Sequence, residues 1–434
     1  MNNTPRYDTR LDRFVDNYAD RTHGMRVSAV RALFAVANRP EIVSLAGGMP
    51  NIKDLPLGDI ADHLAEMIRT NGTQVMQYGS GQGEPAIREQ ICEVMAEEGI
   101  TAHPDDVVIT AGSQQALDLV TRVFCNPGDV ILAESPSYVG ALGTFASYQA
   151  EVVHCPCDDE GLDPDALLAT IERVRAEGKR IKFLYTIPNF NNPSGVTQPP
   201  ERRRRIVEVC HDNGVLVLED NPYGLLTLDS EPLPAMRSFD DEVIYLGSFS
   251  KTFAPGFRVG WVVAPHAVRE KLVLAQESAT LCPPVFSQFA ISNYLSTTDW
   301  RRQVVVFRDM YRERRDAMLE ELEEHMPDGV SWTKPKGGFF VWVTLPDGLD
   351  SQAMVPRGVN ARVAFVPGNA FYLDGQGARN MRLSFCFPPP DRIRLGVQRL
   401  ADVVTNELEI HNTFGIFHTA AAQSRLGAPA PDLS

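Results

Sequence analysis

Val107-Val108-Ile109-Thr110-Ala111-Gly112-Ser113-Gln114-Gln115 joins a β-branched run to the start of a helical pattern that continues to Phe124. A short apolar run bounded by a glycine reads as a buried strand, and the serine marks the start of a helix. The same alternation recurs downstream. Val130 to Ala133 and Ile181 to Thr186 read as strands, Glu201 to Asn213 as a helix, and Val215 to Glu219, Val243 to Gly247 and Val259 to Ala264 as further strands. Strands alternating with helical segments predict an α/β fold with parallel strands joined by crossover helices. A long helical stretch from Trp300 to His325 follows, and then strand-like Gly338 to Leu345, Ala364 to Val366 and Met381 to Phe385 predict a second, smaller α+β lobe. No internal repeat is visible. The tail after Thr413 is rich in Ala, Pro and Gly without a clear period, and is expected to be poorly ordered or to lie on a neighbour.

The chain has 434 residues, ample for a large core, and a formal net charge of -15. That charge argues against nucleic-acid binding, which depends on clustered positive charge. The basic runs Arg202 to Arg205, flanked by Glu201 and Ile206, and Arg301 to Arg315, interspersed with apolar and acidic residues, read as solvated helix faces. Seven cysteines, an odd number, do not form a disulfide framework, and Cys155-Pro156-Cys157 has the wrong spacing for a redox or zinc pair. No metal site is expected. Met1 to Asp20 is polar throughout, and no apolar run is long enough to span a bilayer, so the expected compartment is the cytoplasm.

Several strand ends carry chemistry. At Gly112-Ser113 the free N–H groups of a helix start and the serine hydroxyl converge on an anion-sized space, although an ordinary serine N-cap has the same sequence. Asp220 closes the strand from Val215, at the carboxyl edge where open α/β sheets bind ligands. A carboxylate there suits a pyridine nitrogen, keeping it protonated so that the ring accepts electrons, while Glu219 points to the opposite face. Asn189-Phe190-Asn191-Asn192-Pro193-Ser194-Gly195 follows another strand and also has the composition of a plain turn. Tyr138, after Glu134-Ser135-Pro136-Ser137, and Tyr223, after Asp220-Asn221-Pro222, occupy equivalent places. Lys251 lies in Gly247-Ser248-Phe249-Ser250-Lys251-Thr252-Phe253-Ala254-Pro255-Gly256-Phe257-Arg258. Hydroxyls and a guanidinium around a lysine suit an aldehyde cofactor that carries a phosphate, and a surface lysine is the bland alternative.

Taken in chain order, Ser44-Leu45-Ala46-Gly47-Gly48-Met49-Pro50, Gln77-Tyr78, Ala111 to Gln115, Lys182 to Asn189 and the Lys251 run resemble the class I/II aminotransferases of pyridoxal-phosphate fold type I. The similarity is greatest to the branch of 2-aminoadipate and kynurenine aminotransferases, and runs from about Ser28 to Leu400. The resemblance implies a large cofactor-binding domain over residues 56–295, with a mostly parallel sheet of the seven-stranded type. It further implies a smaller α+β domain from both chain ends, comprising an amino-terminal segment 1–55 that covers the active site and residues 296–412, with 413–434 as a tail.

In that resemblance Lys251 is the Schiff-base lysine, and Ser113, Gln114, Ser248, Ser250 and Arg258 hold the cofactor phosphate, joined by Tyr78 from the partner subunit of a homodimer. Tyr138 packs on the ring face, Asn192 and Tyr223 bond the phenolic oxygen, and Asp220 holds the ring nitrogen. Arg382 grips the substrate α-carboxylate in a two-pronged pair, or is otherwise a surface arginine on a strand. Gly48 lets backbone approach the substrate. Arg31 helps bind the substrate side chain, or is an ordinary helix-face arginine. Two departures stand out: Asn-Pro-Ser-Gly in place of the commoner Asn-Pro-Thr-Gly, and Asn221 where many relatives carry a second Asp.

The implied reaction is amino transfer in two halves from an L-amino acid (2-aminoadipate, branched-chain or aromatic) to a 2-oxo acid, 2-oxoglutarate foremost, with ping-pong kinetics. A lyase, oxidase or decarboxylase would use the same site. A regulatory domain behind a winged helix is disfavoured by the short segment before Gly47 and by the acidic charge. Gly79-Ser80-Gly81-Gln82-Gly83 lacks both the spacing and the preceding strand of a dinucleotide site, and Ser250-Lys251-Thr252 lacks the glycine of a P-loop.

Overall fold

The computed structural model describes residues 14–24 and 39–426, and from residue 414 onward the backbone alone. Its central sheet has seven strands: β1 Val107–Thr110, β2 Val130–Glu134, β3 Glu151–Cys155, β4 Ile181–Thr186, β5 Leu216–Asp220, β6 Ile244–Ser248 and β7 Gly260–Val263. They lie in the order β1-β7-β6-β5-β4-β2-β3. The pairs from β6 through β5, β4 and β2 to β3 are parallel, whereas β7 runs antiparallel to both β6 and β1. Helices cover both faces, which is why the strands read as continuous apolar runs rather than alternating ones. On one face Ile131, Ala133, Phe183, Tyr185, Leu218, Ile244 and Leu246 pack with the helices Ser113–Phe124, Val139–Ser147 and His266–Thr280. On the other, Val130, Leu132, Leu184 and Val217 meet Pro164–Ala176 and Pro200–Asp212. Because the strand period is two, Glu219 and Asp220 point to opposite faces.

A second sheet of four strands holds β8 Ser331–Trp332, β9 Phe340–Thr344, β10 Val366–Pro367 and β11 Asn380–Ser384, in the order β8-β9-β11-β10, all antiparallel. Met381 and Leu383 on β11 face the large apolar core shared with Phe307 and Tyr311 of helix Trp300–His325. Arg382 between them is therefore turned to the other face, where Trp342, Val366 and Phe371 cluster. The expected single strand Ala364 to Val366 is two pieces. Val363–Ala364 pairs with Val43–Ser44 of the amino-terminal segment, and the chain changes partner at buried Phe365 to enter the four-stranded sheet.

Helix Pro390–Leu426 continues well past Thr413, so the stretch expected to be poorly ordered or to lie on a neighbour is helical to Leu426. Ala420-Ala421-Ala422 supplies the reason, because alanine has the highest intrinsic helix propensity. Of the Gly and Pro that suggested irregular chain, Gly415 falls within this helix, and Gly427, Pro429 and Pro431 lie outside the described residues.

Candidate active site

Strands β2, β4, β5 and β6 are parallel, so their carboxyl ends deliver functional side chains to one edge of the sheet. A cavity of about 380 Å³ opens there, lined from the large sheet by Ser113, Gln114, Tyr138, Asn192, Asp220, Tyr223, Ser248, Ser250, Lys251 and Arg258. Gly48, Phe340 and Arg382 close it from the side of the smaller sheet. Twelve of the residues singled out in the sequence thus share one cavity. Tyr78 does not line it and is 76 % exposed. Arg31 lies outside the described residues.

Lys251 Nζ donates to the carbonyl of Gly48 at 2.9 Å, tying the amino-terminal segment across the mouth of the site. Burial pulls its ammonium down to about 8, and the nearby Arg382 and Arg258 charges act in the same direction. A lysine in that range carries a usable fraction of free amine near neutrality. Burial likewise pushes the Asp220 carboxyl up to about 6, opposed by the hydrogen bond from Tyr185 and the charge of Lys251. Tyr185 Oη donates to Asp220 Oδ2 at 2.8 Å, while Asp220 Oδ1 is buried without a partner among the described residues.

The anion-sized space at Ser113 is built by close approach. Gly112 has φ 82°, and a Cβ there would lie 2.5 Å from the Arg258 guanidinium. Gly260 stands against the Gly112 backbone, where a Cβ would come within 2.7 Å of the carbonyl carbon. Glycine at both positions lets Arg258 lie against the amino terminus of helix Ser113–Phe124, and Arg258 itself is held in the left-handed region at φ 53°. Its guanidinium bonds Ala111 O at 2.7 Å and reaches Ser250 Oγ at 3.5 Å. Tyr138 Oη sits 3.4 Å from Gln114 Oε1.

Arg382 is 3 % exposed, donating to Asn192 Oδ1 at 2.8 Å and to Ala46 O at 2.7 Å, while its Nε has no partner among the described residues. The rings of Phe340 and Phe371 lie 4.2 and 5.1 Å from its central carbon. Burial draws its pKa down to about 10, well above neutrality, so the guanidinium remains charged. The structure replaces the alternative of a surface arginine with a buried, clamped cation. A Cβ at Gly48 would stand 3.1 Å from the Phe340 ring, so that ring limits what position 48 accepts.

Sequence reasoning missed Tyr185, Phe340, Glu134 and Glu98. Glu134 ends β2 and accepts from Thr186 Oγ1 at 2.7 Å, Ile187 N at 3.0 Å, and Asn191 Nδ2 and Gln198 Nε2 at 2.5 Å each. Its signal was present, since a carboxylate closing a buried apolar strand needs partners. Glu98 accepts from Asn221 Nδ2 at 2.6 Å and Tyr245 Oη at 3.0 Å across more than a hundred residues of sequence, and nothing local foretells that.

These groups fit pyridoxal phosphate. The orphaned Asp220 Oδ1 lacks the donor that a protonated ring nitrogen provides, a half-buried amine lines the same cavity for the aldehyde, and the Gly112 cradle offers N–H groups and a guanidinium to a phosphate. The fold and the site define a pyridoxal-phosphate enzyme of fold type I. The chain belongs to the class I and II aminotransferases, whose family profile matches residues 42–400. It is 42 % identical over 396 residues to aromatic-amino-acid aminotransferase 1 of Thermococcus litoralis, covering 90 % of this chain and 95 % of the relative. It superposes on the kynurenine aminotransferase of Pyrococcus horikoshii with a TM-score of 0.87 at 40 % identity, covering 92 % of this chain and 99 % of the other. Against the alpha-aminoadipate aminotransferase of Thermus thermophilus, solved with N-(5'-phosphopyridoxyl)-L-leucine, the TM-score is 0.84 at 34 % identity, with 91 % and 99 % covered. No described helix is long and apolar enough to cross a membrane.

Proposed function

We propose that this aminotransferase takes its amino group from L-amino acids with large side chains, apolar aromatic and branched-chain ones foremost and the acidic 2-aminoadipate besides, and gives it to 2-oxoglutarate by a ping-pong route. The observation that carries the reading is the convergence of half-buried Lys251, the unpartnered Asp220 Oδ1 and the clamped Arg382 on one cavity. Beyond the charged groups, Met49, Val139, Ile187 and Phe340 give that cavity an apolar side. Such a wall favours a bulky apolar substrate side chain. The relatives support the same range, since those described above are named for aromatic amino acids, kynurenine and aminoadipate.

Asp220 would hold the ring nitrogen; Ser113, Gln114, Ser248, Ser250 and Arg258 the phosphate; Tyr138 the ring face; and Asn192 and Tyr223 the phenolic oxygen. Pyridoxal phosphate supplies the aldehyde that captures the amino group and a ring that takes up the electron pair of the broken Cα–H bond. This chain's own part is binding and proton transfer. Arg382 binds the α-carboxylate through its guanidinium, and the Phe340 and Phe371 rings fix that guanidinium in place. With the carboxylate fixed, the Cα–H bond is presented to Lys251 Nζ, which removes the proton as a free amine and returns it as an ammonium. Burial favours the free amine and so prepares Lys251 for the first of these steps.

Tyr78, exposed in the single chain, would complete the phosphate site of a second subunit in a cytoplasmic homodimer. Residues 56–295 would form the cofactor domain, 1–55 and 296–412 the smaller one, and Arg31 would assist side-chain binding. A panel of amino acids, each run with and without 2-oxoglutarate, tests the reading. Aromatic and branched-chain donors are expected to consume 2-oxoglutarate and form glutamate in equal amounts. Turnover that releases ammonia or hydrogen peroxide without an oxo acid would replace it with the lyase or oxidase alternative.

A further inference from the structure

Asp220 has two oxygens in different circumstances. Oδ2 accepts from the Tyr185 hydroxyl at 2.8 Å, and Oδ1 has no partner among the described residues. Tyr185 lies on β4, where it is registered with Leu218 on β5, so its hydroxyl reaches one step along the same face to Asp220. Its ring is fully buried and held edge-on by Phe145, with centroids 5.4 Å apart. Tyr185 makes no direct approach to the cavity and is not among its lining residues.

We propose that Tyr185 is a positioning residue that fixes Asp220 with Oδ1 toward the cofactor ring and keeps that carboxylate ionised. This rests on the reading that Asp220 faces the ring nitrogen. The groups around the carboxylate are Tyr185 from β4, Lys251 beyond β6, Tyr138 beyond β2 and Tyr223 beyond β5. Against burial, which raises Asp220 to about 6, the Tyr185 hydrogen bond is the largest opposing influence and the Lys251 charge comes second. The phenol cannot give its own proton away, because burial and the Asp220 charge push it well above the usual tyrosine range. It therefore acts as a fixed donor. Without it burial has less opposition, the carboxyl binds its proton more tightly, and a protonated pyridine arriving at acid pH must first displace that proton to solvent.

The test uses the full chain freed of cofactor by dialysis and measures its dissociation constant for pyridoxamine phosphate, which has no aldehyde to bond Lys251. The quantity read is the ratio of variant to wild-type constants, in which the ligand's own titrations cancel. For Tyr185→Phe the ratio is expected to be near one at pH of about 8.5 and to rise to roughly fivefold at pH of about 6 for each unit gained by Asp220. 3-Fluorotyrosine placed at Tyr185 keeps the shape with a stronger donor and is expected to drive the ratio below one at the acid end. A ratio that stays constant across pH, whether near one or raised, overturns the proposal, because a purely structural loss weakens binding everywhere. Asp220→Asn separates the two readings. If its binding keeps the wild-type pH dependence, the placement of Asp220 at the ring nitrogen fails. If Asp220→Asn flattens that dependence while Tyr185→Phe leaves it unmoved, the role of Tyr185 alone fails.

Discussion

At the scale of single residues, Lys251 and Arg382 make opposite uses of burial. Arg382 is buried and Lys251 half-buried, yet Lys251 falls to about 8 and becomes partly neutral, whereas Arg382 falls only to about 10 and stays a cation. The difference follows from their starting basicities and suits the tasks proposed for them, one to move a proton and the other to hold an anion. Lys251→Ala is expected to lower the transamination rate at least about a thousandfold, the scale of a lost general base, and to abolish the label that borohydride fixes on the wild-type chain. Mass spectrometry of the reduced protein checks the second outcome independently of activity. Arg382→Lys keeps the charge but loses the fork that reaches both Asn192 and Ala46. It is expected to raise KM for amino acid and oxo acid together, by roughly tenfold to a hundredfold, because a single ammonium cannot make the paired bonds. Steady-state kinetics with both substrates measures this, and a change confined to one of them would argue against a shared carboxylate grip.

At the scale of elements, the turn after β4 depends on a carboxylate from β2. Glu134 gathers four donors, including Asn191, the neighbour of the Asn192 that receives Arg382. Burial nevertheless pushes Glu134 up to about 7, the four donors opposing only in part. For an acid raised in the folded state, the folded chain binds more protons than the unfolded one between about 4.5 and 7, so its contribution to stability falls as pH rises through that window. Glu134→Gln removes this dependence. Gln198 can turn its amide to present Oε1, which has no partner in the wild type, so the substitution has a route to satisfied bonds. Relative to wild type, the variant is expected to gain on the order of 2 kcal/mol between pH of about 4.5 and 7 in urea unfolding, whatever its offset at the acid end. A flat difference across that window would show that Glu134 titrates normally. The strands were legible because both faces of the sheet are covered, which writes β4 into the sequence as Ile181 to Thr186. The edge strand β3, half exposed, carries a weaker pattern and was not foreseen. Lys251, Asp220 and Ser113 were legible because each sits at a strand end with a distinctive local sequence. Glu98 and Tyr185 were not, because their partners lie in distant segments and only the fold joins them.

At the scale of the whole molecule, the described chain leaves Met76 66 %, Tyr78 76 % and Leu281 56 % exposed. Where exposed apolar groups join into a patch, they mark a surface that another chain can cover. If Tyr78 serves the partner's site, each active site needs Lys251 from one chain and Tyr78 from the other, and two crippled variants can repair each other. Lys251→Ala supplies a sound Tyr78, and Tyr78→Ala supplies a sound Lys251. Mixed in equal amounts and allowed to exchange, half the dimers are hybrid, and in each hybrid one site of two is whole. The mixture is therefore expected to recover about a quarter of the wild-type activity from two preparations with little of their own, and to lose it again when the variants are separately crosslinked before mixing. Activity that never exceeds the mean of the two variants would mean that Tyr78 serves its own chain or neither, and would leave each cavity complete within a single subunit.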